Sequence, residues 1–357
     1  MAGYETTEAV SAADLVRYDA VIDVRSPAEF ALDHLPGAEN LPVLDDQQRA
    51  EVGTIYVQES RFLARRIGAA HVARNIARHL ETALADRPAS FKPLIYCWRG
   101  GQRSDAMATI LSQVGWPVTL LRGGYRTYRR QVTARLYDTP QDLKLLLIDG
   151  HTGSAKTEIL NQLGALGVQT LDLEGLAEHR GSLFGALAGR PQPSQKLFET
   201  RLLQALEALD PARPIVVEAE ASKIGDRMTP PVLWQAMQGA PRVVLDASQA
   251  SRAQYLVGAY GDIAADPAAL EAAFDRLPVA PSAERRAAWR GMIAAGAFAD
   301  LAQALIDLHY DPAYDRAARK AGAPVVGQIA VNPMDLESRL AAAEAVARLV
   351  RETFGRL

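Results

Sequence analysis

The stretch from Leu143 to Thr157 limits what this chain can fold into more than any other: Leu-Lys-Leu-Leu-Leu-Ile-Asp-Gly-His-Thr-Gly-Ser-Ala-Lys-Thr. Its apolar run from Leu143 to Ile148 has the length and composition of a buried strand. The run breaks at Gly150, and from Thr157 the order Glu-Ile-Leu-Asn-Gln-Leu has helical spacing. Gly150, Lys156 and Thr157 stand at the first, seventh and eighth positions of a phosphate-binding loop, in the strand–loop–helix context such a loop needs. Backbone N–H groups curl around an oxyanion at the positive end of the helix, with Gly153 and Ser154 inside the loop. Lys156 adds a mobile charge, and Thr157 can hold a magnesium ion. Ala155 stands where the pattern has its second glycine, and a methyl group is tolerated there if the local φ is negative. The competing reading is an ordinary glycine-containing turn; strand, spacing, Lys-Thr and helix together favour the phosphate loop.

A length of 357 residues points to two domains. An apolar content of 48% with 23% charged residues is that of a globular protein, and no apolar run approaches the roughly 20 residues of a membrane span. The N-terminal Met-Ala-Gly-Tyr-Glu-Thr-Thr-Glu has neither a basic start nor an apolar core, so no signal peptide and a cytoplasmic location are expected. The single cysteine excludes an intramolecular disulfide and a multi-cysteine metal cluster. A net charge of −3 gives no overall attraction to nucleic acid, so any such contact requires a local basic patch.

Before the phosphate loop, short apolar segments alternate with helical ones. Ala20-Val-Ile-Asp-Val reads as a buried strand, followed by a helix start with Ser26 as N-cap, Pro27 at N1 and Glu29 at N3. A long helix is expected from Arg61 to Leu84, strands at Pro93–Tyr96 and Val118–Leu121, and a helix over Ala106–Val114. This alternation predicts a parallel α/β sheet. Cys97 ends one strand and opens the loop Cys-Trp-Arg-Gly-Gly-Gln-Arg-Ser, which leads into a helix N-terminus. With Gly100, Gly101, Arg99 and Arg103 beside it, a reactive cysteine is favoured over an inert buried one. From Arg122 to Arg130, the residues Arg122, Arg126, Arg129 and Arg130 interleave with Tyr125 and Tyr128, a composition suited to RNA phosphates and bases. A solvated helix face explains the same pattern equally well.

Asp23-Val-Arg-Ser-Pro-Ala-Glu-Phe, His34-Leu-Pro-Gly-Ala, the cysteine loop and Leu121-Arg-Gly-Gly-Tyr together resemble a rhodanese domain over the first third of the chain. That resemblance implies sulfur or another chalcogen carried on Cys97. Arg103 follows Cys97 by six positions, the longer spacing of rhodanese-like phosphatases, which implies a wider oxyanion cradle. Asp23 and Arg25 read as structural, an internal ion pair or cap.

Beyond the phosphate loop, strands are expected at Gln169–Leu173 and in the stretch from Pro214 to Gly225, which ends in acids, and a helix over Lys196–Leu209. Glu218 or Glu220, at the end of a buried strand, can orient a metal or water, with Asp246 as a competitor. His179 and Arg180, between glycine-flanked turns, can contact an anion. The part from Ala268 onward reads as helical, with breaks at Pro278-Val-Ala-Pro281 and Pro324, and Tyr310-Asp-Pro-Ala-Tyr-Asp reads as a helix cap or hinge. The expected architecture is α/β: a rhodanese-like parallel-sheet domain over 1–135, a linker over 136–142, and a phosphate-loop (P-loop NTPase-like) α/β domain with a helical C-terminal part over 143–357.

The four segments Tyr96–Ser104, Gly150–Thr157, Asp172–Gly185 and Val217–Gly225, in that order, are similar to those of the tRNA 2-selenouridine synthase family. This resemblance implies a transferase acting on the wobble 2-thiouridine of tRNA. It implies geranylation of the sulfur from geranyl diphosphate, and then selenium from selenophosphate, with no tightly bound cofactor and magnesium as an accompanying ion. The alternatives left open are an ATP-dependent tRNA sulfurtransferase or a kinase fused to a rhodanese sulfur carrier, and a non-catalytic regulator with a redox-sensing cysteine.

Overall fold

A computed structural model describes residues 3–261, 266–275, 277, 281–320 and 322–355. They form two compact units, one holding the described residues up to Asp138 together with Glu199–Glu207, the other Thr139–Phe198 and the described residues from Ala208.

The first unit runs β1 (Glu5–Thr7), α1 (Ala12–Leu15), β2 (Ala20–Asp23), α2 (Pro27–Leu32), β3 (Ala38–Asn40), α3 (Asp46–Gln58), α4 (Arg61–Glu81), β4 (Pro93–Tyr96), α5 (Gln102–Val114), β5 (Thr119–Leu121) and α6 (Tyr125–Thr133). The strands are all parallel in the order β1-β5-β4-β2-β3. β2, β4 and β5 are buried along their whole length, which is why they read as unbroken apolar runs. Ile22 and Ile95 of the sheet share one core with Ile76 of α4 and Met107 and Leu111 of α5. From β2 the chain goes outward to β3, then returns to β4 on the other side of β2. The carboxyl ends of β2 and β4 therefore form a topological switch point, where open α/β sheets leave a crevice for ligands. Arg25 follows one of these strands and Cys97 the other.

A π-helical turn, Ala134–Asp138, continues α6, and the chain is irregular from Thr139 to Lys144. The second unit then begins with β6 (Leu145–Gly150), α7 (Lys156–Leu163), β7 (Gln169–Leu171), α8 (Leu173–Ala177), α9 (Gln195–Glu207, whose last nine residues group with the first unit), β8 (Ile215–Glu218), β9 (Lys223–Ile224) and β10 (Arg227–Met228). It continues through α10 (Pro231–Gly239), β11 (Arg242–Asp246), α11 (Gln249–Ala259), α12 (Pro267–Phe274), α13 (Ala283–Ala294), α14 (Phe298–Leu305), α15 (Asp311–Lys320), β12 (Val325–Ala330) and α16 (Leu336–Phe354). Five parallel strands lie in the order β12-β11-β6-β8-β7, and β9 and β10 form an antiparallel hairpin. β6 is fully buried at the centre, and the chain leaves it first toward β7 and β8, then toward β11. Its carboxyl end is the switch point of this sheet, and the phosphate loop sits there.

Ile159, Leu160 and Leu163 of α7 pack with Leu146, Ile148 and Val243 and with Ala343, Val346 and Val350 of α16. A separate helical core gathers Phe274, Trp289, Leu301 and Leu305 around Phe184. β12 follows the expected break at Pro324 as an edge strand. Its residues are exposed or half-buried, so its apolar signal is weak. Of the break expected at Pro278–Pro281, residues 278–280 lie outside the described residues.

Candidate functional site

In the first unit Cys97 is only 3% exposed, and its sulfur is held by its own loop. The Gly101 N–H donates to Sγ at 3.3 Å and the Ser104 hydroxyl at 3.1 Å, both at the N-terminus of α5. Gly100 and Gly101 are thus loop backbone around the sulfur. Arg99 is exposed, whereas Arg103 is committed: its guanidinium pairs with Glu29 at 2.6 Å. Glu29 also accepts the Ser26 N–H at 3.2 Å, so the expected capping position is the group that anchors Arg103. Arg103 and this capping contact hold the Glu29 carboxyl below its usual value despite partial burial. Asp23 and Arg25 form the expected internal ion pair at 2.5 Å.

The Arg122–Arg130 segment requires a correction. Tyr125 is buried, donates to Asp33 at 2.7 Å and lies under the Arg25 guanidinium, 4.2 Å from its ring centroid. Tyr128 is buried too, so neither ring is available to stack on a base. Arg129 is paired with Glu199. Only Arg122, Arg126 and Arg130 are exposed. The segment instead braces the cysteine loop: the Tyr125 N–H donates to the Cys97 carbonyl at 2.8 Å and the Arg126 N–H to that of Trp98 at 3.2 Å. Gly124 has φ +60, and a Cβ there would stand 2.2 Å from the Cys97 carbonyl oxygen. Leu121-Arg-Gly-Gly-Tyr is a second loop pressed onto the first.

In the second unit the phosphate loop bends from Gly150 into α7. Lys156 Nζ donates to the Gly150 carbonyl at 2.9 Å, and the Ser154 hydroxyl is buried without a hydrogen-bond partner. Gly153 has φ +88 and faces Arg252 and Leu256 so closely that a Cβ would sit about 3 Å from both. Ala155 does not take the negative φ that would make its methyl group easy to hold: it has φ +61 and ψ +35, the left-handed conformation usual for glycine. The loop is held from outside by residues that its motif does not contain. Arg252, 2% exposed, donates to the Thr152 carbonyl at 3.1 Å and pairs with Asp311 at 2.7 Å. Tyr314 donates to Asp149 at 2.7 Å, and the Tyr314 ring lies 4.1 Å from that of His151. The segment read as a cap or hinge, Tyr310–Asp315, is thus a brace of the phosphate loop.

Thr157 Oγ1 lies 2.7 Å from Glu218 Oε1 and 3.0 Å from Glu174 Oε2, and Glu218 Oε2 is buried without a partner. One hydroxyl proton serves only one of these acceptors. Burial, reinforced by the neighbouring charges of Glu218 and Glu220, pushes the Glu174 carboxyl up to about 9. Burial, then Asp172, pushes Glu218 up to about 8. Glu220 lines the same pocket, but Asp246 is exposed at the end of β11, bonded to Gln328, and is not among the pocket's lining residues. Glu174 carries no signal of its own in the sequence beyond its place in the Asp172–Gly185 segment. Among the described residues no group of three or more His, Cys, Asp or Glu side chains forms a metal-binding cluster by itself.

Arg180 lines the phosphate-loop pocket with its guanidinium 4.9 Å from the Tyr260 ring centroid, while His179 faces a different cleft. Bordering the pocket is a partly open apolar chamber, lined by Phe184, Leu270, Phe298, Leu301 and Leu305. Thr152, Leu256, Tyr260 and Tyr310 line both spaces.

Fold and loops define a rhodanese-like domain followed by a phosphate-loop α/β domain. Residues 6–131 match the rhodanese-like domain family, and residues 143–273 match the tRNA 2-selenouridine synthase AAA domain. It is also similar to proteins named tRNA 2-selenouridine synthase. The relative from Nitrosomonas europaea is 35% identical over 65% of this chain and 61% of its own length. That from Cupriavidus pinatubonensis is 37% identical over 67% and 65%, and that from Cupriavidus necator 38% identical over 68% and 65%. The matched stretch spans a little under two thirds of these relatives' length. No described helix is long and apolar enough to cross a membrane.

Proposed function

We propose that the chain is a tRNA-modifying transferase that converts wobble 2-thiouridine to 2-selenouridine. It first transfers the geranyl group of geranyl diphosphate to sulfur, then replaces the geranylthio group with selenium from selenophosphate. The names of the relatives support the product. The observation that carries the first step is the apolar chamber joined to the phosphate loop. A loop built for a diphosphate beside a chamber without charged side chains fits a ligand with an anionic head and a hydrocarbon tail. An adenine base would instead need polar partners at its edge, so the chamber favours the prenyl reading over the ATP-dependent one.

In the first step the thiocarbonyl sulfur bonds to C1 of the geranyl group, the C1–O bond breaks, diphosphate leaves, and the N3 proton is released to water. Lys156, the loop N–H groups and Ser154 receive the charge that develops on the departing diphosphate. The orphaned Glu218 Oε2 and the Thr157 hydroxyl fit a magnesium ion shared with ligand phosphates. Such an ion would neutralise leaving-group charge among the carboxylates. Alkylation turns a poor leaving group into a good one. In the second step Cys97 Sγ is the nucleophile: it bonds to C2 of the base as the C2–S bond breaks and geranylthiol leaves. Selenium of selenophosphate then displaces the cysteine sulfur at C2, and hydrolysis of the P–Se bond releases phosphate, with Arg99 as the loop cation for that oxyanion.

Two variants separate the steps. Lys156→Ala abolishes geranylation, while Cys97→Ala geranylates tRNA and stops there. Titration calorimetry of the wild type gives tighter binding for geranyl diphosphate than for inorganic diphosphate or ATP. Normal selenation by Cys97→Ala, or preference for ATP, contradicts the respective assignment.

A further inference from the structure

The chamber and the phosphate loop account for a prenyl diphosphate, but a second cleft in the same unit is not used by either. It lies between the Gly181–Gln192 segment and the β9–β10 hairpin. We propose that this cleft receives the target nucleotide of the RNA strand, and that Arg190, Lys223 and Arg227 hold the phosphates flanking it. The assignment rests on the prenyl-transfer reading above.

The cleft is built rather than incidental. Gln192 accepts the Asp226 N–H at 2.6 Å and donates to the carbonyls of Ala177 and Ile224, tying the hairpin to the loop. The His179 ring is wedged between two glycines: a Cβ on Gly185 would stand 2.9 Å from it, and one on Gly225 2.6 Å. No larger residue fits at either position without moving the ring, so the floor is fixed before a ligand arrives. The charge is one-sided. Three cations line the cleft against Asp226 alone, which pairs with Lys223 at 3.4 Å. Arg227 Nε is buried without a hydrogen-bond partner, a donor that lacks an acceptor. Arginine and lysine rims of this kind contact phosphates, and a polar floor with an imidazole suits an unstacked base.

The connection to the chemistry is the stronger argument. Gly181 and Ser182 line both the cleft and the phosphate-loop pocket; Leu183 lines the cleft, and Phe184 the prenyl chamber. Ser182 Oγ is 2.7 Å from the Tyr260 hydroxyl, and Tyr260 lines pocket and chamber alike. The three spaces therefore meet around Ser182 and Tyr260. A base held in the cleft presents its edge where C1 of a prenyl diphosphate lies, between a head in the loop and a tail in the chamber, as proximity catalysis requires. Gly181, at φ +65, keeps the passage open. A Cβ there would fall 2.4 Å from Glu174 and 2.6 Å from Glu220.

The test uses the full chain, 2-thiouridine-bearing tRNA and geranyl diphosphate. The double variant Arg190→Glu/Lys223→Glu changes two exposed residues and leaves the loop and chamber intact. It is expected to weaken tRNA binding at least tenfold in a filter assay. It should also lower the salt dependence of log Kd by about 1.4, near 0.7 for each lost phosphate contact on a single strand. Calorimetric affinity for geranyl diphosphate should stay at the wild-type value, and Arg190→Lys/Lys223→Arg should restore tRNA binding. Unchanged tRNA affinity in the double variant, with a wild type that geranylates tRNA, overturns the cleft assignment alone. A wild type that forms no geranylated tRNA from competent substrates removes the underlying reading and this assignment with it.

Discussion

Ala155 holds the phosphate loop in a left-handed turn that glycine adopts without cost. For an alanine this conformation costs about 1 kcal/mol. Ala155→Gly is therefore expected to raise the stability of the second unit by about 1 kcal/mol less the extra freedom glycine gains on unfolding, read as a higher urea midpoint at unchanged m-value. The substitution was plain in the sequence, but the sign of φ was not, because it follows from how the loop turns into α7. The same holds for Glu174 and Glu218. Each is an ordinary carboxylate in the sequence, and only burial around Thr157 raises them to about 9 and about 8. Folding then takes up protons between the usual carboxyl range and these values. The stabilising contribution is complete below about pH 4.5 and is lost as pH rises through 8 to 9. The ligand-free wild type should lose thermal stability across that window, and Glu218→Gln should flatten the decline. An unchanged slope in the variant would show that the pair carries no such proton.

At the level of elements, the two loops were legible because each is written in consecutive residues: a strand, a turn and a helix start. Their supports were not. Tyr125 meets Asp33, Arg103 meets Glu29, Arg252 and Tyr314 meet Thr152 and Asp149 of the phosphate-loop segment, and Asp311 holds Arg252, each across more than fifty positions of sequence. Arginines mixed with tyrosines look alike whether they face RNA or pack under a neighbouring loop, and here the two rings pack. Gly124→Ala tests this bracing. Its Cβ would collide with the Cys97 carbonyl, so the first unit should lose about 3 kcal/mol or more, and selenation should fall while geranylation persists. For the other loop, Tyr314→Phe removes one hydrogen bond to the buried Asp149 and should cost about 1–3 kcal/mol. It should also weaken geranyl diphosphate binding in calorimetry. Wild-type affinity would mean that α15 packs on the loop without shaping it.

For the whole molecule, both sheets follow one rule: the central strands change direction of growth, and the reactive loop lies at the carboxyl end where they do. Alternating apolar and helical segments revealed this class of fold, and the motifs located Cys97 and the phosphate loop within it. The chamber was hidden in the sequence. Its walls come from Leu270, Phe298 and Leu305, in a stretch that reads only as a helical layer, and from Phe184, in the Asp172–Gly185 segment whose role there has no sequence signal. That chamber is what the proposal of a prenyl diphosphate ligand rests on, and the claim can be put to one measurement. Nucleosides from 2-thiouridine tRNA incubated with the full chain and geranyl diphosphate, with and without selenophosphate, are resolved by mass. The account predicts S-geranyl-2-thiouridine alone in the first sample and its conversion to 2-selenouridine in the second. Unaltered 2-thiouridine in both, with substrates shown to be competent, contradicts it.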